Sequence, residues 1–127
     1  MQTGLWIVAA DRLGAVVTDD TGAEIARALA PALPDRPVPA HEVSARDRLV
    51  IGAMAVKLRA WLLAERAAGR FDRLAVVAVP DVLPALRFRL EDGLSDCLLA
   101  CVEAEIDPAN TAAVTEALAP YLVEVAA

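Results

Sequence analysis

FDRLAVVAVPDVLPALRFRL, residues 71–90, decides how the chain is read. It opens on a polar step, Phe71-Asp72-Arg73, and then runs from Leu74 to Val79 without a polar side chain. An uninterrupted apolar run of that length predicts a strand covered on both faces, as in the middle of a parallel or mixed sheet. Pro80-Asp81 predicts a turn. Asp81 is then the expected cap of a short helix that carries Pro84 in its first turn and Leu83, Leu86 and Leu90 on its inner face, with Gly93 as its end.

Upstream of this stretch lies a long helical pattern. Ser44 is the expected N-cap, with Asp47 completing a capping-box-like start, and Gly69 is the expected residue just past the end, near Ala68. Val50, Met54, Leu58, Trp61 and Leu62 share one face, with Arg48, Gly52, Arg59 and Arg66 opposite. Ala53, Ala60, Ala64 and Ala67 widen the apolar arc, so the helix is expected to lie on a sheet, and the broad face with Trp61 is either a self-association surface or covered completely by the sheet and the last helix. A helix joined to a buried strand by three or four residues is the second half of a βαβ crossover.

The N-terminal part reads as a meander. Leu5–Ala10 is a first strand, apolar on both faces and therefore expected in the centre of the sheet. Asp11 to Gly14 is a turn and Ala15–Thr18 a short second strand. Asp19-Asp20-Thr21-Gly22 is a strong turn signal. Residues 23–30 are ambiguous: their Ala and Leu content favours helix, whereas the preceding tight turn permits a third strand whose alternation Arg27 spoils. A third strand is the economical continuation. Four prolines between Pro31 and Glu42 predict an irregular extended loop. At the other end, Leu98–Ile106 reads as an edge strand with Leu98, Ala100, Val102, Ala104 and Ile106 on one face and Glu103 and Glu105 on the other. Asp107-Pro108 is expected to open a final helix with Val114, Leu118, Tyr121, Leu122 and Val125 as its buried stripe. The predicted order is β-β-β-α-β-α-β-α: an α/β fold with a mixed sheet in a ribonuclease-H-like arrangement.

Composition narrows the functional classes. The chain has 127 residues, which predicts one domain. It is 57% hydrophobic with only 4% aromatic residues, so the core must be built largely of Ala, Val and Leu. The formal charge is −6, and Lys57 is the only lysine. An acidic chain is a poor starting point for non-specific nucleic-acid binding, which needs a basic face. No apolar run reaches the length of a membrane span, and no basic segment precedes the first apolar run, so a cytoplasmic protein is expected. On one strand, Cys97 and Cys101 would lie about 13 Å apart, too far for a disulfide, and read as small buried hydrophobes.

Candidate chemistry is sparse. Asp11, past the first strand, invites comparison with the carboxylates that ribonuclease-H-like nucleases gather around two cations, with Asp81, Glu103 and Asp107 as imaginable partners. As an ordinary turn residue it needs no such role. His41, the only histidine, reads as a loop residue with no second His or Cys nearby to make a zinc site. Ser44 is accounted for by capping, and no phosphate-cradling glycine motif is present. Arg36, Arg73, Arg87 and Arg89 could form a basic patch for RNA phosphate, or remain solvated arginines on an acidic protein. No cofactor is implied.

LWIVAADRLGAVV, residues 5–17, resembles the opening strand and turn of the bacterial host-attachment protein family. Residues 69–90 resemble its GRFDRL block, and EAEIDPANTAAVTEAL, residues 103–118, its strand-to-helix close. Asp35-Arg36-Pro37 and His41-Glu42 resemble short polar elements of the same family. That family is similar to the middle domain of archaeo-eukaryotic peptide-chain release factors. The resemblance implies a ribonuclease-H-like domain over residues 1–127, a third strand at 23–30, and a non-enzymatic interaction module, with a protein partner or a second copy. A ribosome- or tRNA-associated role is the alternative, and a metal-dependent nuclease a second. Release factors carry a Gly-Gly-Gln tip between sheet and long helix; Pro31–Glu42 contains neither Gly nor Gln.

Overall fold

The computed structural model describes residues 4–11, 14–29 and 40–126, with the backbone alone for 28–29, 40–50 and 122–126. The elements are β1 (Gly4–Asp11), β2 (Gly14–Asp19), β3 (Glu24–Leu29), α1 (Ala40–Ala67), β4 (Phe71–Ala78), α2 (Leu83–Leu94), β5 (Leu98–Glu103) and α3 (Thr111–Ala126). They form one five-stranded sheet in the order β3-β2-β1-β4-β5. β1 pairs antiparallel with β2 and parallel with β4; β2 pairs antiparallel with β3, and β4 parallel with β5. This is the ribonuclease-H-like α/β arrangement, and residues 24–29 are strand.

The apolar run of β4 does what its composition requires. Leu74, Val76 and Ala78 join the cluster under α1 and α2, while Ala75 and Val77 join the cluster under α3. β1 divides likewise, with Trp6, Val8 and Ala10 on the first face and Leu5, Ile7 and Ala9 on the second. A strand flanked by neighbours on both sides and helices on both faces has no solvent side to make polar.

Of the chain's five aromatic residues, three form one stack. Trp6 of β1 lies 4.7 Å from Phe71 of β4 and 5.5 Å from Trp61 of α1, centroid to centroid. The stack pins the long helix to the two central strands; offset aromatic pairs add about 0.5–1.5 kcal/mol each beyond the area they bury. α1 ends in a Schellman motif: Arg70 N donates to Glu65 O at 3.1 Å and Gly69 N to Arg66 O at 2.9 Å. Gly69 takes the left-handed φ of +78° that the motif needs.

Several local expectations are corrected. α1 begins at Ala40, so Ser44 lies inside the helix rather than capping it, and His41 and Glu42 are on its first turn rather than in a loop. Ala40, Glu42, Ala45 and Arg46 are good helix formers, which carries the helix upstream of the serine. The buried face of α1 is Ile51, Met54, Ala55, Leu58 and Leu62, and Ala53, Ala60, Ala64 and Ala67, the expected extra apolar width, are exposed. Arg59 and Arg66 are not on a solvated side of the helix. They reach the end of α2, where Arg59 Nε donates to Asp92 O at 2.6 Å and Arg66 forms two bonds to the Asp96 carboxylate, at 2.8 and 2.5 Å. Cations at a helix C-terminus satisfy its open carbonyls.

Asp81 is not the cap of α2. Val82 holds that position in a helical conformation with no side-chain cap bond, and Val79 O accepts from both Val82 N and Leu83 N instead. β5 is an edge strand, as expected, but ends at Glu103. Its pairing skips Leu99, since Leu74 lies opposite Leu98 and Ala75 opposite Ala100. The extra residue turns Leu98 towards the α1/α2 face while Ala100 and Val102 face α3. Cys97 precedes the strand, and its thiol donates to Leu94 O at 3.2 Å; both cysteines are unbridged. α3 begins at Thr111, capped by Asn110 Oδ1, which accepts from Ala113 N at 3.1 Å. Asp107 belongs to the preceding turn, and Tyr121 is 48% exposed rather than buried. Among the described residues no helix is long and apolar enough to cross a membrane.

Candidate functional site

Asp11 is the last residue of β1, inside the strand rather than past it, and its Oδ1 accepts from Gly14 N at 3.1 Å across the β1–β2 turn. Asp107, beyond the end of β5, makes the same kind of local bond, accepting from Ala109 N at 3.0 Å. The two carboxylates and the Arg27 guanidinium line a shallow notch of about 160 Å³, closed by Gly14 and Pro108. Asp81 and Glu103 do not line it. Among the described residues no three His, Cys, Asp or Glu side chains converge in a way that could hold a metal ion. Two-metal phosphoryl chemistry needs several oxygens around each cation. Here two carboxylates, each bonded within its own turn, share the space with a cation.

Arg27 was legible only as a flaw in an alternating pattern. Its place becomes clear from the register: Val17 lies opposite Ala26 and Thr18 opposite Glu24, leaving Ile25 as an extra residue. The shift puts Glu24 and Arg27 within reach, Nη2 to Oε1 at 2.6 Å, and sets Arg27 at the edge of the sheet. From there it borders the notch and also a second cavity, of about 260 Å³, between β3 and α1. That cavity is lined by Val17, Ala26, Leu58, Trp61 and Lys57 as well. Trp61, expected on the broad apolar face of the long helix, is half-buried: its ring stacks on Trp6 and it also lines this cavity.

The arginines do not assemble into one patch. Arg73, on β4, lies 3.6 Å from Asp72. Arg87, on the outer side of α2, donates to Glu91 Oε1 at 2.7 Å, and that bond raises its pKa further above the usual arginine value. Arg89 stands 5.8 Å from the centroid of the Phe88 ring. Phe88, which the sequence reading passed over, is 72% exposed; its place midway between Leu86 and Leu90, two residues from each and so off the inner face, was the available signal. Arg36 and the loop prolines lie outside the described residues, as does the His41 side chain.

The clear electrostatic shifts belong to structural groups. The Arg66 guanidinium holds the Asp96 carboxyl below its ordinary value, and the Thr21 hydroxyl does the same for Asp19 in the β2–β3 turn. Burial pushes the thiols of Cys97 and Cys101 up, which makes them poor nucleophiles.

No family profile and no curated protein matches the chain. Among solved structures, that of the archaeal translation termination factor aRF1 is similar in fold, with a TM-score of 0.56 at 14% identity. The likeness covers 94% of this chain and 34% of the termination factor, so the chain spans about a third of that protein's length. At that identity the similarity establishes the fold and leaves function to the site.

Proposed function

We propose that this chain is a non-enzymatic docking module of the host-attachment family, a single domain over residues 1–127 built on the middle-domain scaffold of release factors and acting in the cytoplasm. The observation that carries the reading is the fold likeness to one part of a multi-part termination factor, over 94% of this chain. The resemblance of residues 69–90 to the family's GRFDRL block supports it. So does the composition of residues 31–42, which include no glycine or glutamine from which a hydrolytic Gly-Gly-Gln tip could be made. On this reading Asp11, Arg36, His41, Arg73 and Arg87 are surface contacts for a partner rather than catalytic groups.

The fold likeness also favours a second reading, in which the partner is the ribosome or tRNA. Co-sedimentation with ribosomes over a salt series tests it. Association that weakens as salt rises is the expected result, because phosphate contacts are salt-dependent; no association at low salt removes this reading. Measured hydrolysis of peptidyl-tRNA, or metal-dependent cleavage of RNA abolished by Asp11→Asn, would overturn the non-enzymatic reading itself.

A further inference from the structure

We propose that the cavity between α1 and β3 binds a small carboxylate with a flat apolar body. The walls are apolar. Val17 and Leu58 are buried at its base, Ala26 comes from the edge strand, and the Trp61 ring forms one side. That ring is held in place by its stack on Trp6, 5.5 Å away, so little ordering remains when a ligand meets it. The volume, about 260 Å³, is just below the usual range for drug-sized ligands, which sets the size at roughly a single ring with a short chain. The register shift at Ile25 lies next to the cavity. Such bulges bend a strand, and this one adjoins Ala26 at the cavity wall.

Charge selects the ligand class. The chain carries 18 acidic against 12 basic residues, yet both ionisable residues lining this cavity are cations and none is an acid. Lys57 is exposed and has no carboxylate partner among the described residues. Arg27 is paired with Glu24 through Nη2, which leaves its other donors for a second carboxylate. An apolar slot with a lysine and an arginine at its mouth fits an acid whose ring lies against Trp61 and whose carboxylate meets Lys57. This inference stands apart from the docking reading, since it requires no ribosome or protein partner.

The test is a titration of the full chain with phenylacetate, followed by tryptophan fluorescence and amide NMR shifts, with neutral phenylacetamide as control. The expected result is a saturable change centred on Trp61 and Lys57, with the acid binding roughly tenfold tighter than the amide, as one charge-assisted contact would give. Lys57→Met keeps the apolar stem of an exposed residue and should weaken phenylacetate roughly tenfold while leaving the amide unchanged. Equal binding of acid and amide, no saturation, or no effect of Lys57→Met overturns the proposal. So does a concentration-dependent dimer in analytical ultracentrifugation that shields Trp61 from phenylacetate, which would make a second copy the occupant. The acid–amide comparison needs no variant, so the test holds even if a substitution disturbs folding.

Discussion

The two faces of the sheet share the same strands yet are packed by different means. The face under α1 and α2 carries the large side chains: Trp6, Phe71, Met54 and a series of leucines from both helices. The face under α3 carries Leu5, Ile7, Ala9, Ala75, Val77 and Val102, met by Val114 and Leu118 from the helix, and its cluster holds no aromatic ring. On the first face, long side chains interdigitate and arginines from α1 close the end of α2. On the second, aliphatic side chains alone meet a single helix. A chain with few aromatics can thus concentrate rigidity on one face and economise on the other. The notch and the cavity beside Trp61 both border Arg27 at the β3 edge.

This contrast can be tested by deletion. Phe71→Ala should cause the largest loss, about 3–5 kcal/mol in chemical denaturation, because it removes the β4 ring that stacks on Trp6 and leaves a cavity among the large side chains of that face. Leu118→Ala, on the α3 face, should cost less, at the lower end of about 2–5 kcal/mol, because it removes a smaller side chain and breaks no aromatic stack. A larger loss from Leu118→Ala than from Phe71→Ala would reverse the assignment of rigidity.

Gly93→Ala comes next. The residue has a φ of +98°, and an added Cβ would come within 3.2 Å of Leu63 Cδ2. Strain and crowding together should cost about 1–3 kcal/mol in the same assay and loosen the α1–α2 junction.

The junction also has a pH signature. Asp96 is held below its ordinary carboxyl value by Arg66, and a depressed carboxyl contributes stability above its unfolded pKa, near 3.8, that is lost as pH falls through the lower folded value. Thermal midpoints measured from about pH 6 down to about pH 2 should fall less steeply for Asp96→Asn than for the unmodified chain. The change should be small, since the pair is exposed. An unchanged acid limb would show that Arg66 and Asp96 do not couple α1 to α2. Smallest in stability terms is thiol accessibility: Cys97 should resist alkylation under native conditions and react on unfolding, and rapid labelling of the folded chain would show that the junction opens readily.

Much of this was legible locally. The unbroken run from Leu74 to Val79 required a doubly covered strand, Gly69 required a helix end, and the spacing of Leu86 and Leu90 required an inner face. Capping was less legible, because Ser44, Asp81 and Asp107 are all good cap residues and none caps a helix here. Cap preference describes what a residue can do, while the helix boundary is set by the formers beyond it and by packing. The cavity at Trp61 was invisible for a different reason: an aromatic at helical spacing looks the same whether it faces a core, a cavity or water.

The sequence by itself determined the element order, the mixed sheet and the burial of its two central strands, because apolar periodicity and turn chemistry act over a few residues. Only the tertiary structure decided which helix covers which face, where register shifts at Ile25 and Leu99 redirect side chains, and which charges meet. Those outcomes depend on contacts between residues far apart in the chain, and a one-residue slip in pairing, which no local pattern records, moves every following side chain to the other face.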